Sequence, residues 1–134
     1  MPKPRRKPAW IDRVVVDAIH VDQLREHGGL PGVRDENVLE STLARPRNRW
    51  HYETETGLAE LAAAYGWGLT TSHPYRDGNK RVAFLVMTTF VELNGYELKA
   101  TDSEVVQIMV ALADHGMGER ELADSVRNHL TATR

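Results

Sequence analysis

The sequence lacks cysteine altogether among its 134 residues. Disulfide bonds, thiol catalysis and cysteine-ligated zinc are therefore excluded. Long apolar runs are also missing, since none approaches the roughly 18 residues that a membrane-spanning helix needs. No apolar segment follows the basic N-terminal residues, as it would in a secretory signal. We therefore expect a cytoplasmic protein without a membrane partner.

The chain also lacks a strong excess of charge of either sign. Its formal net charge of -2 argues against direct nucleic-acid binding, which usually needs a basic excess. Basic residues crowd residues 2–8, where prolines lie among lysines and arginines. This composition predicts a flexible basic arm over residues 1–9, followed by a single domain over residues 10–134.

The segments between the glycines and prolines mostly show helical periodicity. The first covers residues 11–27 and stops at Gly28, and its valines at 14–16 fit either a short strand or the start of a helix. Asp35 can cap a second helix, which we expect Pro46 to end. Residues 46–57 are the least helical, and their alternation of bulky and polar residues favours a short strand or β-hairpin flap.

Two stronger helical patterns occupy the middle of the chain. Apolar residues recur at helical spacing from Leu58 to Ser72. Pro74 disfavours helical geometry at His73, so we expect the helix to end there. A second helix should start near Asn79, and between Val82 and Leu93 its only charge is Glu92. Because a helix that is apolar nearly all round is buried, this one is predicted to be central.

Two C-terminal helices complete the pattern. Thr101 and Glu104 form a capping-box pair at the start of the first. The second follows Gly118 and carries apolar residues up to Leu130. The predicted fold class is therefore mostly α, a compact helical domain around one buried central helix.

A polar cluster directly precedes this central helix, from His73 to Arg81. A helix start has up to four free backbone N–H groups and a partial positive charge, so it favours an anion such as phosphate. Gly78 allows the backbone to approach such an anion closely. Lys80 and Arg81 place cations at the positive end of the helix dipole, which is unfavourable unless something negative binds between them. The cluster therefore predicts a nucleotide-phosphate site.

Two other side chains of the cluster could take part in chemistry. Asp77 could hold Mg²⁺ against a nucleotide, or it could simply pair with the neighbouring cations. His73 could accept a proton from an attacking hydroxyl, or it could merely end a helix. A hydrolytic metal centre of His73, Asp77 and His115 has no recognised ligand spacing.

The nine residues from 73 to 81, His-Pro-Tyr-Arg-Asp-Gly-Asn-Lys-Arg, closely resemble the Fic motif, His-Pro-Phe-x-(Asp/Glu)-Gly-Asn-(Gly/Lys)-Arg. Lys80 is similar to the Doc (death-on-curing) branch, whereas adenylylating Fic enzymes usually carry glycine there. Tyr75 departs from the usual phenylalanine, and its hydroxyl then needs a hydrogen-bond partner. The resemblance covers roughly residues 10–130, with other Doc-like stretches at 27–35, 43–46, 61–65 and 92–96.

This resemblance implies a Fic/Doc fold and the toxin of a toxin–antitoxin pair, with ATP and Mg²⁺ used to modify a protein hydroxyl. The Doc branch implies a kinase that binds the nucleotide in reversed orientation and targets the translation machinery, such as an elongation factor. The resemblance implies that His73 is the general base and that Asp77 is the Mg²⁺ ligand. It also implies that the nucleotide phosphates are bound by Gly78, Asn79, Lys80 and Arg81. Lys80 and Arg81 would in addition act as catalytic cations.

Three functional hypotheses remain. The leading one is transfer of the terminal phosphate, the second is transfer of AMP at the same site, and the third is a non-catalytic module that binds an antitoxin or nucleic acid. Lys80 favours phosphate transfer because it fills space that glycine would leave for a nucleotide phosphate. The inhibitory (Ser/Thr)-x-x-x-Glu-(Gly/Asn) pattern is absent, since Leu61 follows Thr56–Glu60. Restraint by a separate antitoxin, bound as an amphipathic helix in an apolar groove, is therefore implied.

Overall fold

The computed structural model describes residues 6–114 and 116–133 of the chain. In this part of the chain, six helices and one pair of short antiparallel strands account for the regular structure. In chain order they are α1 (Arg13–His27), α2 (Glu36–Tyr52), α3 (Leu58–Ser72), α4 (Asn79–Leu93), β1 (Tyr96–Leu98), α5 (Asp102–Ala113), α6 (Glu119–His129) and β2 (Leu130–Ala132). The mostly α fold predicted from the sequence is confirmed. None of the helices described has the length and apolar character needed to cross a bilayer.

The centre of the fold is shared by α3 and α4. The prediction that α4 is buried is confirmed, but α3 buries more of its residues than α4 does. Small residues explain this, because they let neighbouring helices approach α3 closely. A Cβ placed on Gly66 would lie only 2.3 Å from Sδ of Met87, a buried residue of α4. The bounds predicted for α3 and for the start of α4 are also confirmed, so the segment between them rests on two packed helices.

The prediction that Pro46 ends the second helix is wrong. Pro46 is buried inside α2, which continues to Tyr52. Beyond the proline, Arg49 donates a hydrogen bond from Nη1 to Glu119 of α6 at 2.9 Å. Contacts of this kind offset the cost of an interior proline, which is about 3 kcal/mol. The strand or hairpin expected within residues 46–57 is accordingly a helix end followed by a turn.

Both ends of the helical domain also differ in detail from the sequence pattern. Residues 14–16 belong to α1, so the strand alternative fails there. Leu130 lies in β2 and not in the last helix, because its extended backbone pairs with Leu98 of β1. Residues 1–5 of the predicted basic arm, and His115, lie outside the described residues. The chain is already held at Ala9, whose N–H and C=O both bond to the side chain of Asn94.

The helix α5 begins with the predicted capping box and is tied to α6 by an ion pair. Glu104 accepts a hydrogen bond from the N–H of Thr101 at 2.9 Å, and the Thr101 hydroxyl oxygen accepts one from the Glu104 N–H. Nε2 of His129 lies 2.6 Å from the Glu104 carboxylate. Because of this contact, the pKa of Glu104 is lowered from 4.5 to about 2 and the pKa of His129 is raised above 6.5.

The free energy of unfolding should therefore depend on pH through this pair. Its contribution is complete between pH 4.5 and 6.5, where both charges are present even in the unfolded chain. The His129 part is lost as pH rises through its raised pKa, and the Glu104 part is lost as pH falls toward about 2. Glu104→Gln is the matched variant, because its amide oxygen can keep the cap on Thr101. Chemical denaturation should show the largest difference from wild type in that window, and a difference that does not shrink in alkali would contradict the prediction.

Candidate functional site

The segment between α3 and α4 starts with a backbone conformation that side chains rarely adopt. His73 follows α3 in the left-handed region, at φ 49° and ψ 57°. The side chain of Arg34 stabilises this turn by donating from Nε to the His73 carbonyl at 2.6 Å and from Nη2 to the Ser72 carbonyl at 3.0 Å. A cation that bonds to the last carbonyls of a helix also interacts favourably with the helix dipole. Arg34 thus fixes the backbone that carries His73.

The segment that precedes α2 is the backbone partner of this loop. The Arg34 N–H donates to the Pro74 carbonyl at 2.8 Å, and the Arg76 N–H donates to the Gly32 carbonyl at 3.1 Å. Between these bonds, Val33 and Tyr75 form an antiparallel bridge. The loop is therefore held by main-chain bonds as well as by its two helices.

Two buried side chains hold the inner side of the loop. Oδ1 of Asn79 accepts a hydrogen bond from the Tyr75 N–H at 3.0 Å, and its Nδ2 donates to the Tyr75 carbonyl at 2.9 Å. The hydroxyl of Tyr75 donates to Asp17 of α1 at 2.5 Å, which supplies the partner that this hydroxyl needs. Burial, and then the bond to Asp17, raise the pKa of Tyr75, so the hydroxyl stays protonated and donates. The side chain of Asn79 thus ties both backbone groups of Tyr75 to the first turn of α4.

The carboxylate of Asp77 faces the Gly28–Gly29 turn. Oδ2 of Asp77 accepts a hydrogen bond from the Leu30 N–H at 3.1 Å. A Cβ on Gly29 would lie 3.1 Å from this oxygen, and the Gly29 φ of +127° is one that side chains rarely adopt. Over residues 6–114 and 116–133, Oδ1 of Asp77 makes no hydrogen bond and Asp77 forms no ion pair. The alternative of a salt bridge to its cationic neighbours is therefore not observed.

The start of α4 is an uncapped helix end that carries positive charge. Gly78 precedes it in the left-handed region, at φ 77° and ψ 11°, and no side chain accepts from the first turn, which also contains no acidic residue. Lys80 is exposed and Arg81 half-buried, and neither forms an ion pair with any of the residues described. The start of α4 thus combines free N–H groups, the positive end of the helix dipole and two cations without ion pairs. These are the features that an anion-binding site requires.

This helix end lies in a cleft of about 750 Å³. That volume is within the range of roughly 300–1,000 Å³ typical of small-molecule sites. The cleft is polar at the motif and apolar on the side of α4 and α5, where Phe84 and Met109 line it. A cleft of about 770 Å³ also lies beside α2 and α6. Its arginines at 45, 49 and 127 are paired with carboxylates, so it offers a bound anion less uncompensated charge.

The structure brings the predicted phosphate-site residues together but leaves His73 apart from them. Asp77, Gly78, Asn79, Lys80 and Arg81 all line the 750 Å³ cleft, whereas His73 is exposed and is not among its lining residues. The ring of His73 makes no hydrogen bond with any described residue. Its role as general base remains a prediction.

The described chain contains no cluster of side chains that could hold a metal ion without a further ligand. No group of three or more His, Cys, Asp or Glu side chains that could hold a metal ion occurs among residues 6–114 and 116–133. The hydrolytic centre considered from the sequence includes His115, which lies outside these residues. Asp77 is instead placed as a single carboxylate, and Mg²⁺ is commonly held by one or two carboxylates together with substrate phosphates.

Sequence reasoning missed three residues that support the site, His20, Arg34 and Asp17. No sequence pattern connects His20 with the site, yet its Nε2 lies 3.0 Å from the Asp77 carbonyl oxygen. Its spacing from Val16 and Gln23 on α1 could have identified a buried helix face, and all three are buried. Nothing in that spacing identifies the loop that the face contacts.

Comparisons with known proteins agree with the motif and with the fold. Residues 10–91 match the model of the Fic/DOC family. "Protein kinase doc" of Escherichia phage P1 is 30% identical over 110 residues, which cover 82% of this chain and 86% of that protein. "Toxin Doc" of Mycolicibacterium smegmatis is 36% identical over 74 residues, which cover 54% of this chain and 57% of that protein.

Solved structures with low sequence identity share the fold. BepC, a VirB-translocated effector of Bartonella tribocorum solved with AMPPNP, gives a TM-score of 0.52 at 16% identity over 74% of this chain and 49% of that one. The N-terminal Fic domain of a Bep effector from Bartonella quintana, solved with ADP, gives a TM-score of 0.50 at 17% identity. The match covers 74% of this chain and 48% of that one. The chain thus spans about half the length of these two structures. With the family match, the 30% identity to a Doc protein and the intact loop between α3 and α4, this chain belongs to the Fic/DOC family.

Proposed function

We propose that this chain is the toxin of a toxin–antitoxin pair, and that it transfers the terminal phosphate of ATP to a hydroxyl group of a target protein. The observation that carries the proposal is the uncapped, cationic start of α4, with the carboxylate of Asp77 beside it. The names of the relatives, a protein kinase and a toxin, support the same activity. The Doc-like motif favours a target in the translation machinery, such as an elongation factor.

The residues at the start of α4 fit ATP and Mg²⁺. The backbone N–H groups of the first turn and the side chains of Lys80 and Arg81 would bind the phosphates. Asp77 would hold Mg²⁺ through Oδ1, the oxygen that makes no hydrogen bond within the described chain. When bound, Mg²⁺ would neutralise part of the phosphate charge and so favour attack at phosphorus.

The proposed step is an in-line displacement at the terminal phosphorus. His73 takes the proton of the target hydroxyl while the hydroxyl oxygen bonds to phosphorus. The bond from phosphorus to the oxygen bridging the β-phosphate breaks, and ADP leaves with that oxygen. Lys80 and Arg81 stabilise the charge that gathers on the phosphate oxygens. Exposure of His73 leaves room for a target chain to approach it.

Separately labelled nucleotides test this proposal against the alternatives. The protein is incubated with cell extract and with purified elongation factors, using ATP labelled at either the γ- or the α-phosphate. We expect γ-label alone to appear on a protein, together with a mass increase of one phosphate. Transfer of α-label would indicate AMP transfer instead. If neither label transfers, and a variant with both His73 and Asp77 substituted is as toxic as wild type, the proposal is wrong. The chain is then a non-catalytic module.

Restraint of this toxin is assigned to a separate antitoxin. The chain lacks the inhibitory pattern of self-restrained Fic enzymes, as the residues after Thr56 show. An amphipathic helix of the antitoxin, bound in an apolar groove, would suffice. Coexpression with the cognate antitoxin should therefore suppress both toxicity and label transfer.

A further inference from the structure

His20 lies directly beneath the loop that carries Asp77. It is a residue of α1 with only 4% of its surface exposed. Its Nε2 lies 3.0 Å from the backbone carbonyl oxygen of Asp77. Because a carbonyl oxygen only accepts, Nε2 must carry the proton of this hydrogen bond. The imidazole also stacks on the ring of Tyr75, with centroids 3.9 Å apart and an interplanar angle of 17°.

This bond acts on one particular peptide unit, the one that joins Asp77 to Gly78. In a trans peptide the C=O and the following N–H point in opposite directions. A carbonyl held toward His20 therefore turns the N–H of Gly78 away from α1, and this N–H makes no hydrogen bond with the residues described. The same peptide plane sets the left-handed φ of 77° at Gly78, from which the first turn of α4 starts.

We propose that His20 is a positioning residue of the phosphate site, which fixes the Asp77–Gly78 peptide plane and thereby aims the N–H groups of Gly78 and the first turn of α4 at the nucleotide phosphates. The proposal rests on the proposed function, because it assigns a role within the same site. His20 itself touches no substrate in this arrangement. Its contribution is to binding geometry, so its loss should act mainly on the KM for Mg·ATP and less on kcat.

Two substitutions separate the hydrogen bond from the packing of the ring. His20→Phe keeps an aromatic ring against Tyr75 but leaves the Asp77 carbonyl without a donor. His20→Gln keeps an N–H near the position of Nε2 but loses the ring. We expect His20→Phe to raise the KM for Mg·ATP about tenfold, the equivalent of one lost hydrogen bond. His20→Gln should stay within about threefold of wild type, although it should have the lower unfolding temperature of the two.

Val16→Ala is the matched stability control. Val16 is fully buried on the same face of α1 and makes no side-chain hydrogen bond to the loop. This variant should unfold at a lower temperature while its KM for Mg·ATP stays near that of wild type. If KM instead follows the unfolding temperature across the three variants, His20 is only a packing residue and the proposal is overturned. Unchanged KM in His20→Phe overturns it as well.

A measurement without nucleotide keeps this inference separate from the proposed function. Relaxation of the ¹⁵N amides of Gly78 and Asn79 reports on the order of the peptide plane in the ligand-free protein. We expect new microsecond-to-millisecond exchange in His20→Phe and wild-type behaviour in His20→Gln. If the wild type transfers no label, the proposed function fails, while these amides still decide the role of His20. Amides in His20→Phe as ordered as in wild type would overturn the inference.

Discussion

Replacing His73 with asparagine should reduce phosphate transfer by about 100- to 10,000-fold, the range that a positioned general base contributes. The unfolding temperature should stay near that of wild type, because the His73 side chain is exposed and its ring makes no hydrogen bond within the described chain. Asparagine is the appropriate replacement at φ 49° and ψ 57°, since it tolerates left-handed geometry better than other non-glycine residues. Alanine would add backbone strain to the loss of the base.

Binding and chemistry can be separated in the same experiment. His73 does not line the 750 Å³ cleft, so His73→Asn should keep its affinity for Mg·ATP while losing kcat. His51→Asn is the matched control, because His51 is also exposed but lies on α2, away from that cleft. Transfer by His73→Asn within a few-fold of wild type would show that another group removes the proton.

Local signals in the sequence predicted the framework of the site well. Pro74 predicted the end of α3, which the structure confirms at Ser72. The charge conflict at Lys80 and Arg81 predicted an anion site at the start of α4, which stays a prediction. These predictions rest on short-range effects, namely the sterics of the residue before proline and the direction of the helix dipole. The structure places these elements as predicted, with Lys80 and Arg81 free of ion pairs among the residues it describes.

The remaining features depend on residues that are far apart in the chain. His20 and Asp77 are separated by 57 positions, and Tyr75 and Asp17 by 58. No periodicity or propensity encodes such a pairing, because it arises only when α1 packs beside the loop. The same reason explains the error at Pro46, since contacts of the last turns of α2 with α6 outweigh a local rule.

The structure also gives a physical reason for one resemblance that the motif alone did not explain. Residues 27–35 resemble Doc sequences although they lie well before the motif. They are the main-chain partner of the motif loop, through Gly32, Val33 and Arg34, and the Leu30 N–H holds one oxygen of Asp77. The two stretches therefore form one unit, in which the earlier segment sets the shape of the later one.

Asn79→Ala should destabilise the protein by about 2 to 4 kcal/mol, because it leaves two buried backbone groups without partners. The Asn79 side chain pairs with both the N–H and the C=O of Tyr75, and both contacts are buried. Each unsatisfied group costs about 1 to 3 kcal/mol, and the loop can recover part of this by shifting. Such a shift would also move Asp77 and Gly78, so affinity for Mg·ATP should fall with stability.

Asn79→Asp tests the second of these two hydrogen bonds, the one that Nδ2 donates to the Tyr75 carbonyl. The aspartate keeps an acceptor for the Tyr75 N–H but sets a carboxylate oxygen against the Tyr75 carbonyl in place of a donor, so it should be clearly less stable than wild type. Asn128→Ala, on the exposed face of α6, controls for the general effect of removing an amide. Chemical denaturation gives the free energies of unfolding, and calorimetry gives the affinity for Mg·ATP. If Asn79→Ala were no less stable than Asn128→Ala, the loop would not depend on this side chain. A fall in nucleotide affinity without a loss of stability would then show that Asn79 acts on the nucleotide directly.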